Sequence, residues 1–217
     1  MKLLFNDVET TGVYHNVQDV IQTGGIISEN FKPMAEFNLK CKPVNWKAID
    51  PTALKVNHTT IQMLKSDVFE DPKETWKKLY KLIEKYFNGK KYVFAGQNAH
   101  FDRRFMNSWW DKHKTSEAPE FESYLEEGNL DLRTISAAFK NQGMIQLNGA
   151  PVPNVKLGTI IEALQIKVSG NLHDALTDIK ATANGIYILL KRVKKIKESN
   201  PKHPLVKKFD KWLVLFN

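Results

Sequence analysis

The stretch Leu3-Leu4-Phe5-Asn6-Asp7-Val8-Glu9-Thr10-Thr11-Gly12 decides the reading of the whole chain. Leu3, Leu4 and Phe5 form a short apolar run that reads as a buried strand. Asp7 and Glu9 follow two residues apart, which on a strand puts both side chains on one face, about 6.6 Å apart. Thr10-Thr11-Gly12 then supplies turn chemistry. Two neighbouring carboxylates are costly to leave bare: at about 4 Å and an effective dielectric near 20 they repel by roughly 4 kcal/mol. A positive partner is expected between them, and hard oxygen ligands suit a hard cation such as Mg²⁺. Asp-x-Glu alone reads as an ordinary polar turn, so the chemistry depends on what lies further along.

Working outward, residues 19–28 and 37–42 read as two more strands, with Ser28-Glu29-Asn30-Phe31-Lys32-Pro33 as the turn of a hairpin. Residues 50–66 read as short helical pieces around Val56-Asn57-His58-Thr59. A firmer helix starts at Asp71-Pro72-Lys73-Glu74, with Asp as N-cap, Pro at the first helical position and Glu at the third. Trp76, Leu79, Tyr80, Ile83 and Phe87 give it one apolar face. The apolar strand Tyr92-Val93-Phe94-Ala95 runs into Gly96-Gln97-Asn98-Ala99-His100-Phe101-Asp102, then a helix through Phe105, Met106, Trp109 and Trp110. Residues 130–132 read as a fifth strand and 135–139 as a helix, and Asn148-Gly149 fits a hairpin turn. Leu157, Ile160, Ile161 and Leu164 mark another helix, and the last long one runs from His173 or Asp174 to Lys195. Three early strands followed by alternating strands and helices predict an α/β fold, a mixed five-stranded sheet flanked by helices.

Length bounds the organisation: 217 residues make one domain, expected over 1–197, with a basic amphipathic tail over 198–217. A hydrophobic content of 42% argues against wholesale disorder. The single cysteine, Cys41, excludes an internal disulfide framework, suits a reducing compartment, and alternates with Phe37 and Leu39 as core packing does. The N-terminus runs straight into the first strand and no apolar run approaches bilayer length, so a soluble, cytoplasmic protein with no membrane partner is expected. The net charge is +8, and residues 191–217, with nine Lys or Arg against two acids, carry +7 of it. Such asymmetry points to a polyanion, nucleic acid first, with a merely solubilising tail as the alternative.

Asp102 follows a strand at the start of a helix, where ligand sites collect. Asn98 can donate an amide hydrogen bond to a phosphate oxygen, and Phe101 offers an aromatic face to a base. Leu172-His173-Asp174-Ala175-Leu176-Thr177-Asp178 places a histidine five residues before an aspartate, an angular offset of about 140° on a helix. Both can aim at one site if His173 lies on the entering loop and Asp178 in the first turns. Small Ala175 would let that helix approach the sheet, and Asp174 fits a cap.

Asp7-Val8-Glu9-Thr10-Thr11-Gly12, Asn98-Ala99-His100-Phe101-Asp102 and the His173-to-Asp178 run, in this order and spacing, resemble the three motifs of the DEDDh (DnaQ-like) 3′–5′ exonucleases of ribonuclease H-like fold. Connecting patterns agree: Ala53 to Thr59 resembles the stretch between the first two motifs, with His58 where glycine is commoner, and Lys156 to Ile166 resembles the helix leading into the third. The resemblance covers about residues 1 to 190. It implies a metal-dependent 3′–5′ exonuclease that releases nucleoside monophosphates from DNA 3′ ends, in proofreading or single-strand degradation. Asp7, Glu9 and Asp178 would bind one of two divalent ions (Mg²⁺, with Mn²⁺ as substitute), Asp7 would bridge to the second, and Asp102 would assist in part through water. His173 would be the general base. Thr10, Thr11 and Gly12 would grip the terminal nucleotide together with Asn98 and Phe101, while His58 either reaches substrate or lies on the surface.

The same chemistry on RNA or short oligoribonucleotides is the nearest alternative, since discrimination rests on contacts to the 2′-OH. A non-catalytic nucleic-acid-binding subunit accessory to a polymerase is another, and the presence of all four acids and the histidine stands against it. Coincidental motifs in a structural core would strand buried carboxylates unpaired. The expected partner is a single-stranded or frayed 3′ end, DNA rather than RNA. In the tail, Leu205, Phe209, Trp212, Leu213 and Phe216 recur at helical spacing with Lys207, Lys208 and Lys211 opposite. That segment packs on the domain, braces substrate, or docks a separate polymerase or clamp chain.

Overall fold

The opening stretch becomes the middle of a five-stranded sheet in a computed structural model that describes residues 1–216. Strand β1 (Lys2–Thr10) pairs antiparallel with β2 (Val20–Glu29), which pairs antiparallel with β3 (Lys32–Lys40). On its other side β1 runs parallel to β4 (Tyr92–Gly96), and β4 runs parallel to β5 (Leu125–Asp131), giving the order β3-β2-β1-β4-β5. The helices are α1 (Pro51–Val56), α2 (Ile61–Lys65), α3 (Pro72–Phe87), α4 (Ala99–His113), α5 (Leu132–Asn141), α6 (Leu157–Ala163), α7 (Ala175–Ser199) and α8 (Pro204–Phe209). This is the α/β architecture expected, and no described helix is long and apolar enough to cross a membrane.

Alternation along β1 sorts its side chains into two layers. Leu3 and Phe5 pack with Leu132, Ile135, Ile160, Ile179 and Ile186 of α5, α6 and α7. Leu4 and Val8 pack with Trp76, Leu79, Phe105 and Trp109 of α3 and α4. Asp7 and Glu9 continue the first row, so the two acids emerge on the α7 face. A smaller cluster of Ile21, Leu54, Leu64 and Phe69 holds α1 and α2 against β2.

Local chemistry sets the helix starts. Asp71 caps α3 by accepting from the amides of Lys73 (2.8 Å) and Glu74 (3.3 Å), with Pro72 first in the helix. Asp174 caps α7 by accepting from the Thr177 amide at 3.1 Å. The approach of α7 to the sheet depends on Gly24 of β2 as well as on Ala175. A Cβ at Gly24 would lie 2.3 Å from the Leu176 nitrogen and 2.4 Å from the Ala175 carbonyl carbon. Gly24 is the residue opposite Asp7 in the β1–β2 register.

Several boundaries move. The β2–β3 turn is tighter than expected, made by Asn30 and Phe31 with φ of 47° and 62°, so Pro33 falls within β3. An edge strand tolerates the missing ladder donor, and the register shifts nearby between Ile27 and Ser28. Strand β5 starts at Leu125, because exposed Glu126, Glu127 and Gly128 hide this edge from a hydrophobic pattern, while Leu132 opens α5 under an Asp131 cap. Cys41 lies just beyond β3, buried and bridged to Glu70, and burial pushes its thiol up to about 12. Asn148 and Gly149, both at positive φ, join the two short strands Gln146–Leu147 and Ala150–Pro151 as expected.

Helix α7 continues through the boundary expected at 197/198. After it, α8 and the 3₁₀ turns of Asp210–Phe216 fold back, and Leu205, Val206, Phe209, Trp212, Leu213 and Leu215 are buried in the same core as β1 and α7. Of the tail expected over 198–217, Asn217 lies outside the described residues.

Candidate active site

Three elements converge on the acids of β1. Asp178 sits in the first turn of α7, and His173 lies on the loop entering it, just ahead of the Asp174 cap. One ligating atom each from Glu9, His173 and Asp178 lies within 4.8 Å of the others. Asp102, in the first turn of α4, accepts a hydrogen bond from the Val8 amide at 3.1 Å. Pairing of β1 with β4 ends at Phe5 and Ala95, so the Val8 amide has no strand acceptor on that side and the Asp102 carboxylate supplies one. The carboxylate is thereby pinned behind the two strand acids, almost wholly buried.

Burial raises all four carboxyls, and neighbouring acids add to it. Burial is the largest cause at Asp7, which is raised well above the ordinary carboxylate range, followed by the charges of Asp102, Glu9 and Asp178. Glu9 is pushed up to about 8 by burial and then by Asp178 and Asp102. Asp102 is pushed up to about 8, again by burial, against the relief given by the Val8 amide. Asp178 rises to about 6 through burial, partly offset by the His173 amide, 3.3 Å from each of its oxygens. Asp174 behaves oppositely: burial pushes it up, but hydrogen bonds from Gln22, Thr177 and Asn38 outweigh that and hold it low.

Among the described residues, none of the ion pairs includes Asp7, Glu9, Asp102 or Asp178. Four carboxyls without a protein cation, with an imidazole beside them, form a donor set that fits hard divalent cations. The chemistry of the residues present therefore agrees with the metal dependence implied by the motifs.

His173 and His58 share a feature the sequence hides. Both have left-handed backbones, φ 67° and 49°, and their rings meet edge-on at 5.8 Å. His58 occupies that conformation where glycine is commoner, and Asn57 next to it donates to the Thr10 carbonyl at 2.9 Å, tying the segment to the site. Gln22 of β2, donating to Asp174 at 2.6 Å, fixes the loop that carries His173.

The expected substrate grip is partly redirected inward. The Thr10 hydroxyl donates to the Gly12 carbonyl at 2.5 Å, and the Thr11 hydroxyl, fully buried, accepts from the Asp19 amide at 2.9 Å. Both hydroxyls hold the turn at which the chain would approach a nucleotide. Gly12 makes room for Gln18, whose carboxamide a Cβ there would strike at 1.8–2.1 Å. Asn98 has a left-handed backbone (φ 64°), its amide donates to Asp131 at 3.0 Å, and its Oδ1 accepts from Arg133 at 3.5 Å. Phe101 lies partly buried with Phe105 against it at 4.8 Å between ring centroids. Gly24, Gln18, Asp19, Gln22 and Asp131 were missed by motif reasoning. The adjacent pair Gly24-Gly25 inside a strand was the available signal, since glycine there marks close backbone approach.

The family model describing exonucleases of the RNase T type matches residues 4–185. No curated protein sequence matches the chain. Exonuclease I of E. coli in complex with a dT13 oligonucleotide superposes with a TM-score of 0.72 at 19% identity, over 91% of this chain and 43% of that one. The zinc-bound form of an E. coli exonuclease I–ssDNA complex gives 0.70 at 19%, over 97% and 43%. A moderately thermophilic exonuclease I from Methylocaldum szegediense gives 0.66 at 21%, over 93% and 41%. At these identities the likeness shows the fold, and the chain spans less than half the length of these structures.

Proposed function

The chain belongs to the RNase T-type exonuclease family, and from that premise we propose a metal-dependent 3′–5′ exonuclease that releases nucleoside monophosphates from single-stranded DNA 3′ ends. The observation that carries this reading is the set of four upshifted, unpaired acids beside His173. Asp7, Glu9 and Asp178 would hold two divalent ions, Mg²⁺ or Mn²⁺, with Asp102 supporting them from behind Val8. Such ions, when bound, neutralise charge building on the scissile phosphate and acidify water.

The chain's own groups supply the rest. The amide of His173 anchors its loop to Asp178, and its exposed imidazole would take the proton of the attacking water. Imidazole suits that transfer near neutral pH. Asn98 and Phe101 flank Asp102 and would contact the terminal nucleotide, with His58 approaching from the opposite loop. The structural neighbours in complex with dT13 and with ssDNA favour DNA over RNA, and single-strand degradation over proofreading. A separate polymerase or clamp chain would engage mainly the outer lysine face of the tail, because Leu205, Val206, Phe209, Trp212, Leu213 and Leu215 are buried and only Val214 is exposed among its large apolar residues.

The test is purified protein with Mg²⁺ or Mn²⁺ on end-labelled single- and double-stranded DNA and RNA. A 3′ label should leave first as a mononucleotide, fastest from single-stranded DNA, with no turnover in excess EDTA. Full turnover in EDTA would overturn the metal assignment, and RNA degraded as fast as DNA would overturn the substrate assignment.

A further inference from the structure

Exposed apolar surface is unevenly distributed on this molecule. Of fifteen large hydrophobic side chains exposed among the described residues, nine lie in two segments, 13–17 and 44–68. Tyr14 is 67% exposed and Trp46 38%, with Val13, Val17 and Val44 beside them in sequence.

The backbone under these side chains is firmly held. Gln18 accepts from the Tyr14 amide at 2.8 Å and donates to the Ala48 carbonyl at 3.0 Å. Asp19 accepts from the amides of Val44 (2.9 Å) and Asn45 (2.6 Å), and the Asn45 carboxamide donates to the Val17 carbonyl at 3.1 Å. These bonds stitch the two loops to each other. They also stitch them to the first motif: Thr11 accepts from the Asp19 amide through its hydroxyl and from the Asp50 amide through its carbonyl. Apolar side chains presented to water on a pre-ordered backbone mark a surface prepared for a partner.

Two observations say which partner. The loop 13–17 continues from Thr11 and Gly12 and 44–48 is bonded to it, so both adjoin the place where a strand with its 3′ end at the acids would lie. The second segment also interleaves Lys47, Lys55 and Lys65 with only Asp50 and Asp67, Lys42 lies just before it, and none of those lysines forms an ion pair among the described residues. Aromatic faces set among cations are how proteins hold unstacked nucleic acid, since every base has a π-face and every linkage a charge. We propose that the paired loops 13–17 and 44–48 are a stacking platform for unstacked bases just 5′ of the nucleotide being cleaved, with Tyr14 and Trp46 as its aromatic contacts. The proposal deepens the exonuclease reading and rests on it.

Trp46 supplies its own reporter, because the other four tryptophans, Trp76, Trp109, Trp110 and Trp212, are no more than 7% exposed. The experiment is acrylamide quenching of the full chain in EDTA, with oligothymidylate or an equally charged strand abasic near its 3′ end. The thymidylate strand should protect Trp46 and the abasic strand should not. Tyr14→Ala and Trp46→Ala should each weaken binding of a long single strand by roughly 5- to 150-fold. In wild type with Mg²⁺, lengthening the substrate from two to six nucleotides should lower KM, a gain the variants lack. If wild type with Mg²⁺ cleaves none of the substrates, the six-nucleotide strand included, the exonuclease reading falls. If it cleaves, but Trp46 stays equally quenchable under a bound strand, or the abasic strand binds as tightly, the platform falls. Trp46 already protected without nucleic acid, in a species sedimenting as a dimer, would likewise overturn it in favour of a second copy.

Discussion

The two ends of α7 are built on opposite principles. Its first turn sets Asp178 beside Asp7, Glu9 and Asp102, with burial and like charge lifting every carboxyl and, among the described residues, no ion pair to a lysine or arginine. Its last turns bury Leu189, Leu190 and Val193 against Leu205, Phe209 and Trp212, while Lys191, Arg192 and Lys195 stay exposed in water. One 25-residue helix thus joins a region that destabilises the fold to a region that stabilises it. The lesson is that a charged site of this kind is tolerated because cohesion is supplied elsewhere on the same rigid element.

That contrast can be broken at its acidic end first. Asp178→Ala should abolish hydrolysis, yet leave the metal-free melting temperature level or higher, since it removes a repelled charge. Product formation with Mg²⁺ and melting in EDTA on one preparation check both halves, and wild-type turnover would end the assignment. His173→Ala should keep ion binding but slow single-turnover chemistry by about 10²–10⁴-fold. Calorimetric ion titration alongside quench-flow separates a lost base from a lost ligand. At the cohesive end, Trp212→Ala should cost about 3–5 kcal/mol in urea unfolding with dinucleotide turnover per folded molecule retained.

The pH dependence sharpens the comparison further. At Glu9 and Asp178 the folded-state pKa values, about 8 and 6, lie above the ordinary ones. Between about pH 4.5 and 8 the folded protein therefore keeps protons that the unfolded chain has released, and stability present at low pH is lost as pH rises through that window. In EDTA the melting temperature should fall over this range by the equivalent of a few kcal/mol. Mg²⁺ should reverse the fall at pH 8, and Glu9→Gln should flatten it. The smallest effect belongs to Lys197→Ala, which removes an exposed 2.6 Å pair with Asp210 and should change stability by less than about 1 kcal/mol.

Much of this was legible in the chain because the informative residues sit in short local patterns. Asp7 and Glu9 share a face through the two-residue period of a strand, and Asp71-Pro72 announces a helix by capping chemistry alone. The offset between His173 and Asp178 is wrong for one helical face, so the two could share a site only with His173 on the entering loop, where the structure has it. What escaped depends on contacts distant in sequence. Nothing around Thr11 says that its hydroxyl turns inward to Asp19, and nothing around Gly12 says that Gln18 fills its space. The part of β5 from Leu125 to Asn129 escaped because an edge with exposed glutamates lacks the pattern of a buried strand. The tail's helical spacing was visible, but whether its aromatics faced the domain or a partner depended on an apolar stripe of α7 left uncovered by α5 and α6.

The central position of β1 also gives the site two clocks. Asp7 and Glu9 belong to a strand paired along most of its length with β2, so their backbone is released to solvent only when the sheet itself opens. His173 rides an exposed loop, where a local fluctuation suffices. In heavy water the amides around the two strand acids should exchange last and those flanking His173 early. The groups that would hold charge are thus fixed for the lifetime of the fold, while the group that would carry the proton is held only by the local bonds of its loop to Asp178 and Gln22.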